Sequence, residues 1–180
     1  MSTHSPLGRR SRRWSVPSYA PVAAAAGALA APLRFGATTH ALMVGGVLAT
    51  LAVVAAVDLR CRLVPNAIVG PAVLAVLSWQ LLFAPGHALE WVIAAVAAPV
   101  ALLVAAAAQP GGLGMGDVKL AALLGAALGA GVVPALLLAF ICVVPVAVVQ
   151  LVRGGAAAVR TATIPFAPFM ALGAAILLLG

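Results

Sequence analysis

Long apolar stretches follow one another along almost the whole chain, and only short breaks separate them. They predict membrane spans at seven places, namely residues 19–33, 40–57, 67–84, 91–108, 117–133, 134–152 and 165–180. A helix needs roughly 20 apolar residues to cross a bilayer, so 180 residues leave no room for a separate soluble domain. Only 7% of the residues are charged, against about 25% in soluble domains. The sequence therefore predicts an all-α fold, a polytopic transmembrane bundle of six to seven helices in the lipid bilayer.

The N-terminal part is less apolar than the rest. Residues 1–18 are polar, basic and rich in Ser and Pro, which predicts a cytoplasmic tail. Residues 19–39 contain a short, alanine-rich first span and an outer loop, and residues 40–180 are a predicted six-helix membrane domain. A secretory or twin-arginine signal is the alternative for the N-terminal part, because a basic run precedes the alanine-rich stretch.

The formal net charge is +7, and its distribution indicates membrane topology rather than nucleic-acid binding. Lys and Arg collect in the tail and in every second break, but the breaks at 85–90 and 129–134 contain none. The residues on this one side are Arg9, Arg10, Arg12, Arg13, Arg60, Arg62, Lys119, Arg153 and Arg160, and Arg34 falls on the other side. Because basic segments stay in the cytoplasm, we predict a multi-pass protein of the cell inner (cytoplasmic) membrane with its N-terminus inside.

The cysteines and histidines are scattered. Cys61 and Cys142 lie in different segments, and His4, His40 and His87 are far apart in sequence. The sequence contains neither a Cys-x-x-Cys pair nor a Cys/His cluster that could hold zinc. We therefore expect no metal site and no cofactor.

The acidic residues are Asp58, Glu90 and Asp117. Glu90 falls in an outer break and is interpreted as an interfacial residue. Two complete predicted spans separate the aspartates, and an even number of crossings returns the chain to the same face of the membrane. Two carboxylates that meet can divide acid and base roles, because close like charges cannot both ionise readily. Lys119 could hold Asp117 ionised.

An alternative needs no catalysis. The aspartates could form plain ion pairs at the membrane edge, Asp58 with Arg60 or Arg62 and Asp117 with Lys119.

Three motifs stand in order along the chain. They are Asp58 followed by Val64-Pro65-Asn66, then Gly114-Met115-Gly116-Asp117-Val118-Lys119, and finally Ile164-Pro165-Phe166-Ala167-Pro168-Phe169. Together they resemble the type IV prepilin peptidase family, whose members are membrane aspartyl peptidases of the Gly-x-Gly-Asp type. The resemblance covers residues 40–180. Ala167 stands where the family usually has Gly.

The resemblance implies an aspartic-type endopeptidase that removes the leader peptide of type IV pilin-like precursors at the cytoplasmic membrane face. It implies catalytic roles for Asp58 and Asp117, without metal or cofactor, and supporting roles for Gly114, Gly116, Lys119, Pro65 and Asn66. The chain has no cysteine-rich N-methyltransferase region and resembles the short, peptidase-only members. Its expected partners are pilin-like precursors and the lipid bilayer, not nucleic acid.

Two other functions remain alternatives at this point. One is a small membrane transporter or scaffold with proton-relaying or structural aspartates. The other is a peptidase for other membrane substrates, as in the presenilin-like group, which shares the Gly-x-Gly-Asp motif.

The glycines suggest local structure. Gly114 and Gly116 are expected to permit backbone conformations closed to other residues and to let a substrate strand approach Asp117. Prolines 165 and 168 are expected to shape the entry of the last span near the site. Small residues also continue the face of Asp117 at four-residue steps, and the helix bearing Asp58 is expected to pack against them. They are Ala121, Gly125 and Gly129 on one helix and Gly46 and Thr50 on the other.

The alternation of basic breaks makes a topology prediction. A reporter fused after Gly180 should appear outside the cytoplasm, and reagents should reach the Cys61 thiol only from the cytoplasmic side. Reporter activity and one-sided thiol labelling measure these outcomes. A cytoplasmic reporter would contradict the seven-span topology.

Overall fold

The structure is a computed structural model that describes residues 16–36, 38–108, 114–161 and 164–180. Seven α-helices make up most of these residues. From residue 154 to 161 only the backbone is described, and most of the predicted tail lies outside the described residues. The helices are α1 Ala20–Phe35, α2 Thr39–Cys61, α3 Asn66–Phe83, α4 Ala88–Ala108, α5 Met115–Leu128, α6 Val132–Thr161 and α7 Ala167–Leu179. The described residues contain no strand, which confirms the all-α prediction.

Four apolar helical stretches within the described ranges are long enough to cross a membrane. They are Thr39–Cys61, Asn66–Phe83, Pro85–Ala108 and Met115–Arg153, and the last includes α5 and most of α6. The apolar helices α1 and α7 are shorter, with 16 and 13 residues. Helix length and composition therefore agree with a helical membrane bundle.

The first helix packs on the second. A Cβ on Gly27 would lie 2.8 Å from the backbone of Leu48, and one on Gly45 would lie 2.8 Å from the carbonyl oxygen of Ala28. The Tyr19 hydroxyl also donates a hydrogen bond of 3.1 Å to the Ala56 carbonyl. The alanine-rich segment predicted as the first span thus forms a helix closely applied to α2.

The chain reverses direction between α5 and α6, at the predicted break. A 3₁₀ turn, Gly129–Gly131, joins the two helices, and Gly129 has a φ of 55°, which favours glycine. Eight residues after the start of α6, Phe140 contacts Phe166 with ring centroids 5.0 Å apart. Phe166 directly precedes α7, whose first residue lies beside Asp58. Helix α6 therefore runs back toward the end of the bundle that carries Asp58.

The small face of α5 packs on α4, which corrects the expectation that α2 would pack there. A Cβ on Gly125 would overlap the carbonyl oxygen of Ala94 and lie 2.8 Å from the Cα of Ala95. A Cβ on Gly46 of α2 would meet no atom of the described residues within 4 Å. The small residues indicated a close helix contact correctly, but the partner helix differs from the one expected.

We predict that Gly125→Ala destabilises the protein by about 1–3 kcal/mol or more, the usual cost of overpacking a close-packed contact. The added methyl group meets the backbone of α4, which cannot rotate away. Thermal unfolding in detergent, followed by circular dichroism, measures the effect.

The matched control is Gly46→Ala, also in a helix interior but facing open space. It should be neutral or stabilising by up to about 1 kcal/mol, because alanine favours helix more than glycine. Equal destabilisation by both variants would contradict the α4–α5 contact.

Candidate active site

Both aspartates lie at the same end of the bundle. Asp58 is in the last turn of α2 and is 7% exposed. Asp117 is in the first turn of α5 and is half-buried. The two carboxylates are near enough for their charges to interact. The structure thus brings together the two residues that the sequence predicted would share one membrane face.

A backbone amide from α7 holds Asp58. The Ala167 N–H donates a hydrogen bond of 3.3 Å to Asp58 Oδ2. Ala167 is the first residue of α7, and the first amides of a helix have no partner within that helix. Arg62 lies near enough for its charge to act on Asp58. The late proline-rich element therefore contacts Asp58 directly, beyond the shaping role expected for its prolines.

The sequence contained a signal for this contact that our expectation missed. Proline is favoured just inside a helix start, so Pro168 predicts that a helix begins here, and the first amides of a helix have no partner within it. A buried free donor needs an acceptor, and Ala167 is 1% exposed.

A backbone amide from its own motif holds Asp117. The Gly114 N–H donates a hydrogen bond of 3.2 Å to Asp117 Oδ2, and the Asp117 N–H donates one of 3.0 Å to the Gly114 carbonyl. Residues 114–117 thus form the start of α5, and the carboxylate of Asp117 accepts the hydrogen bond of the amide three residues before it.

The two motif glycines do not adopt unusual backbone conformations, so that expectation is wrong. Gly114 has a φ of −83°, and the described glycines with positive φ are Gly36 and Gly129. Gly116 instead makes room for Val64, since a Cβ at position 116 would lie 2.6 Å from Val64 Cγ2. The absent side chain lets the turn after α2 pack directly on the first turn of α5.

A second contact joins the same two segments. Lys119 Nζ donates a hydrogen bond of 2.6 Å to Asn66 Oδ1. Among the ion pairs of the described residues, none joins Lys119 to Asp117. Pro65, which is buried, precedes α3, and its carbonyl accepts from the amides of Ile68 and Val69. The predicted supporting residues therefore all lie between or beside the aspartates.

Glu90 lies at the opposite end of the bundle. Its Oε1 accepts a hydrogen bond of 3.1 Å from the Ala130 amide, and its Oε2 lies 3.4 Å from His87 Nδ1. Glu90 thus holds the turn between α5 and α6 and is separate from the aspartate pair.

The fold and the site define a class, a helical membrane protein with a pair of carboxylates at one end of its bundle. A sequence model of the type IV leader peptidase family matches residues 46–149, more than half of the chain. The chain therefore belongs to the type IV leader peptidase family. The matched region contains both aspartates and the supporting residues. No curated protein and no solved structure matches the chain.

The packing of Val64 on Gly116 makes a prediction. Gly116→Ala should destabilise the protein, because valine has two branches at Cβ and cannot turn away from an added methyl group. Val64→Ala should restore part of the loss in the Gly116→Ala background.

Thermal unfolding of both single variants and the double variant gives the coupling energy. We expect about 1 kcal/mol or more, the range for residues in contact. Strictly additive effects would contradict the contact.

Proposed function

We propose that this protein is an aspartyl endopeptidase that removes the leader peptide of type IV pilin-like precursors at the cytoplasmic face of the inner membrane. The observation that carries the proposal is the meeting of its two aspartates at one end of the bundle. The family supports a peptidase that acts on leader peptides. The arginine-rich tail would lie on the same side as the site, which is the side from which a basic leader would arrive.

The proposed chemistry needs one ionised and one protonated carboxylate. The ionised carboxylate removes a proton from a water molecule as its oxygen attacks the carbonyl carbon of the scissile peptide. The protonated carboxylate gives its proton to the carbonyl oxygen, which forms a tetrahedral intermediate. Collapse of the intermediate breaks the C–N bond: the carboxyl group that took the water proton gives it to the leaving nitrogen, and a hydroxyl of the intermediate returns a proton to the other carboxylate. Two neighbouring carboxylates can share the roles, because the presence of one negative charge favours protonation of the other group.

The backbone amides support this arrangement by fixing the orientation of each carboxylate. Asp58 and Asp117 each accept an amide hydrogen bond through Oδ2. Such a bond restricts rotation of the carboxylate. Precise placement of acid and base groups contributes strongly to catalytic rate.

The supporting residues would act by positioning. Val64 on Gly116 and Asn66 on Lys119 join the segment after Asp58 to the segment that begins at Asp117. We propose that these contacts set the separation of the carboxylates. Lys119 would then act on the site through Asn66 rather than by pairing with Asp117.

We expect Asp58→Asn and Asp117→Asn each to abolish leader removal, because an amide neither accepts a proton from water nor donates one as an acid. Co-expression with a pilin-like precursor, with leader removal read on a gel, measures the activity. Membrane extraction should show that both variants are present at the wild-type level. Retention of more than a few per cent of activity by either variant would contradict the two-carboxylate mechanism.

Cysteine variants are the matched control. Cys61 lies three residues after Asp58 and is half-buried, so a cysteine nucleophile is the rival to test. A nucleophilic thiol needs a base, normally histidine, within hydrogen-bond reach. His40 lies in the first turn of the helix that Cys61 ends, about 32 Å away at ~1.5 Å per residue, and it packs on Phe35. Cys61→Ser and Cys142→Ser should keep substantial activity, and EDTA should have little effect.

A further inference from the structure

An apolar groove runs along the bundle between α2 and α3, and α5 forms its floor. Its volume is about 250 Å³. The lining residues used below are Gly46, Thr50, Ala72, Ala75, Trp79 and Leu123.

The groove exists because the two helices that bear the aspartates do not pack closely on each other. Helix α5 packs chiefly on α4 and also contacts α3 and α7, and α2 packs chiefly on α1 and α7. Helices α3 and α7 therefore bridge α2 and α5, and on the side of α3 a gap remains.

Gly46 lines this gap and differs from the closely packed glycines of the bundle. At Gly45, Gly125 and Gly173 a Cβ would meet the backbone of a neighbouring helix at 2.8 Å or less. At Gly46 it would meet nothing within 4 Å in the part of the chain that the structure describes. Small residues in membrane helices usually mark the approach of another helix. The α2 wall of the groove has a small residue at Gly46, but no helix of the described residues approaches it there.

The walls of the groove suit an apolar occupant. The Thr50 hydroxyl donates a hydrogen bond of 2.8 Å to the Gly46 carbonyl, so its polar group is satisfied within α2. The opposite wall presents alanines 72 and 75, and Leu123 lies beneath. The groove therefore offers an apolar surface, with small residues among larger ones such as Met43 and Trp79, within the membrane-spanning part of α2 and α3.

One end of the groove points to the site. Thr50 precedes Asp58 by eight residues, about 12 Å along α2 at ~1.5 Å per residue. Leu123 follows Asp117 by six residues, about 9 Å along α5 by the same rise. A segment lying between these two helices therefore reaches both carboxylates after roughly 10 Å.

We infer that this groove binds the apolar transmembrane helix of the substrate, on the C-terminal side of the bond that is cut. The inference rests on the proposed function. The first turns of that helix lie against Gly46, Thr50 and Ala75, and the chain leaves helical conformation as it reaches the aspartates. A lipid chain adapts to any apolar surface, but a helix about 10 Å wide needs small residues to approach closely. Gly46 on α2 and Ala72 and Ala75 on α3 are such residues, and they favour a helix as the occupant.

The test compares two substrates and two alanine positions. Ala75→Leu narrows the groove, and Ala97→Leu adds the same side chain to an exposed position of α4 away from it. One substrate is a full pilin-like precursor with its apolar helix, and the other is a soluble peptide that spans the cut and lacks the helix. Purified enzyme in detergent gives kcat and KM for both.

We expect Ala75→Leu to raise KM for the full precursor about tenfold or more, the pattern of lost substrate binding. Cleavage of the soluble peptide should stay within about twofold of wild type. Ala97→Leu should change neither. Gly46→Leu, on the opposite wall, should reproduce the effect of Ala75→Leu and provides a second variant if one fails to fold.

Three outcomes would overturn the inference while the proposed function stands. The groove variants could cleave the full precursor as well as wild type, they could slow both substrates equally, or Ala97→Leu could raise KM by the same factor. An effect shared by Ala97→Leu would indicate general lipid or packing effects. If wild-type enzyme cleaves neither substrate, the proposed function itself fails and the inference falls with it.

Discussion

The turn after α2 docks onto the first turn of α5, and this contact links the two segments of the chain that carry the aspartates. Val64 lies against the bare Cα of Gly116, and Asn66 accepts the hydrogen bond from Lys119. Both contacts join the segment that follows Asp58 to the segment around Asp117. The helices that carry the aspartates have little direct contact of their own.

The lipid environment explains why backbone amides at helix starts bind the two carboxylates. In a membrane, nearly every backbone amide is used within its own helix, because an unpaired amide in hydrocarbon costs several kcal/mol. The amides at helix starts are the ones left free. Asp58 accepts from the start of α7 and Asp117 from the start of α5. The same contacts satisfy the helix ends and orient the acids, so the fold and the site depend on each other at this end of the bundle.

The sequence alone predicted the helices, the reversal at 129–134 and the placement of both aspartates at one membrane face, since each follows from local pattern or from counting crossings. It failed where the partner of a contact had to be known. A run of small residues on α5 indicates that a helix comes close, but the choice between α2 and α4 depends on the whole bundle. The role of Gly116 likewise depended on Val64, which lies 52 positions earlier in the chain. The Ala167 amide was missed because Pro168 marks a helix start but does not indicate which distant side chain accepts from the amides there.

The separation of α2 from α5 has a cost that suggests its purpose. Two membrane helices with small residues on adjoining faces gain dispersion energy when they pack together. Here a Cβ on Gly46 of α2 would meet none of the described residues within 4 Å, while Gly125 of α5 packs against α4. Helices α3 and α7 fix the two aspartate helices from either side, so the gap between them is built into the bundle. Under the proposed function, such a gap would let the apolar helix of a substrate lie beside α2 and α5 while the scissile bond meets the carboxylates at the membrane edge.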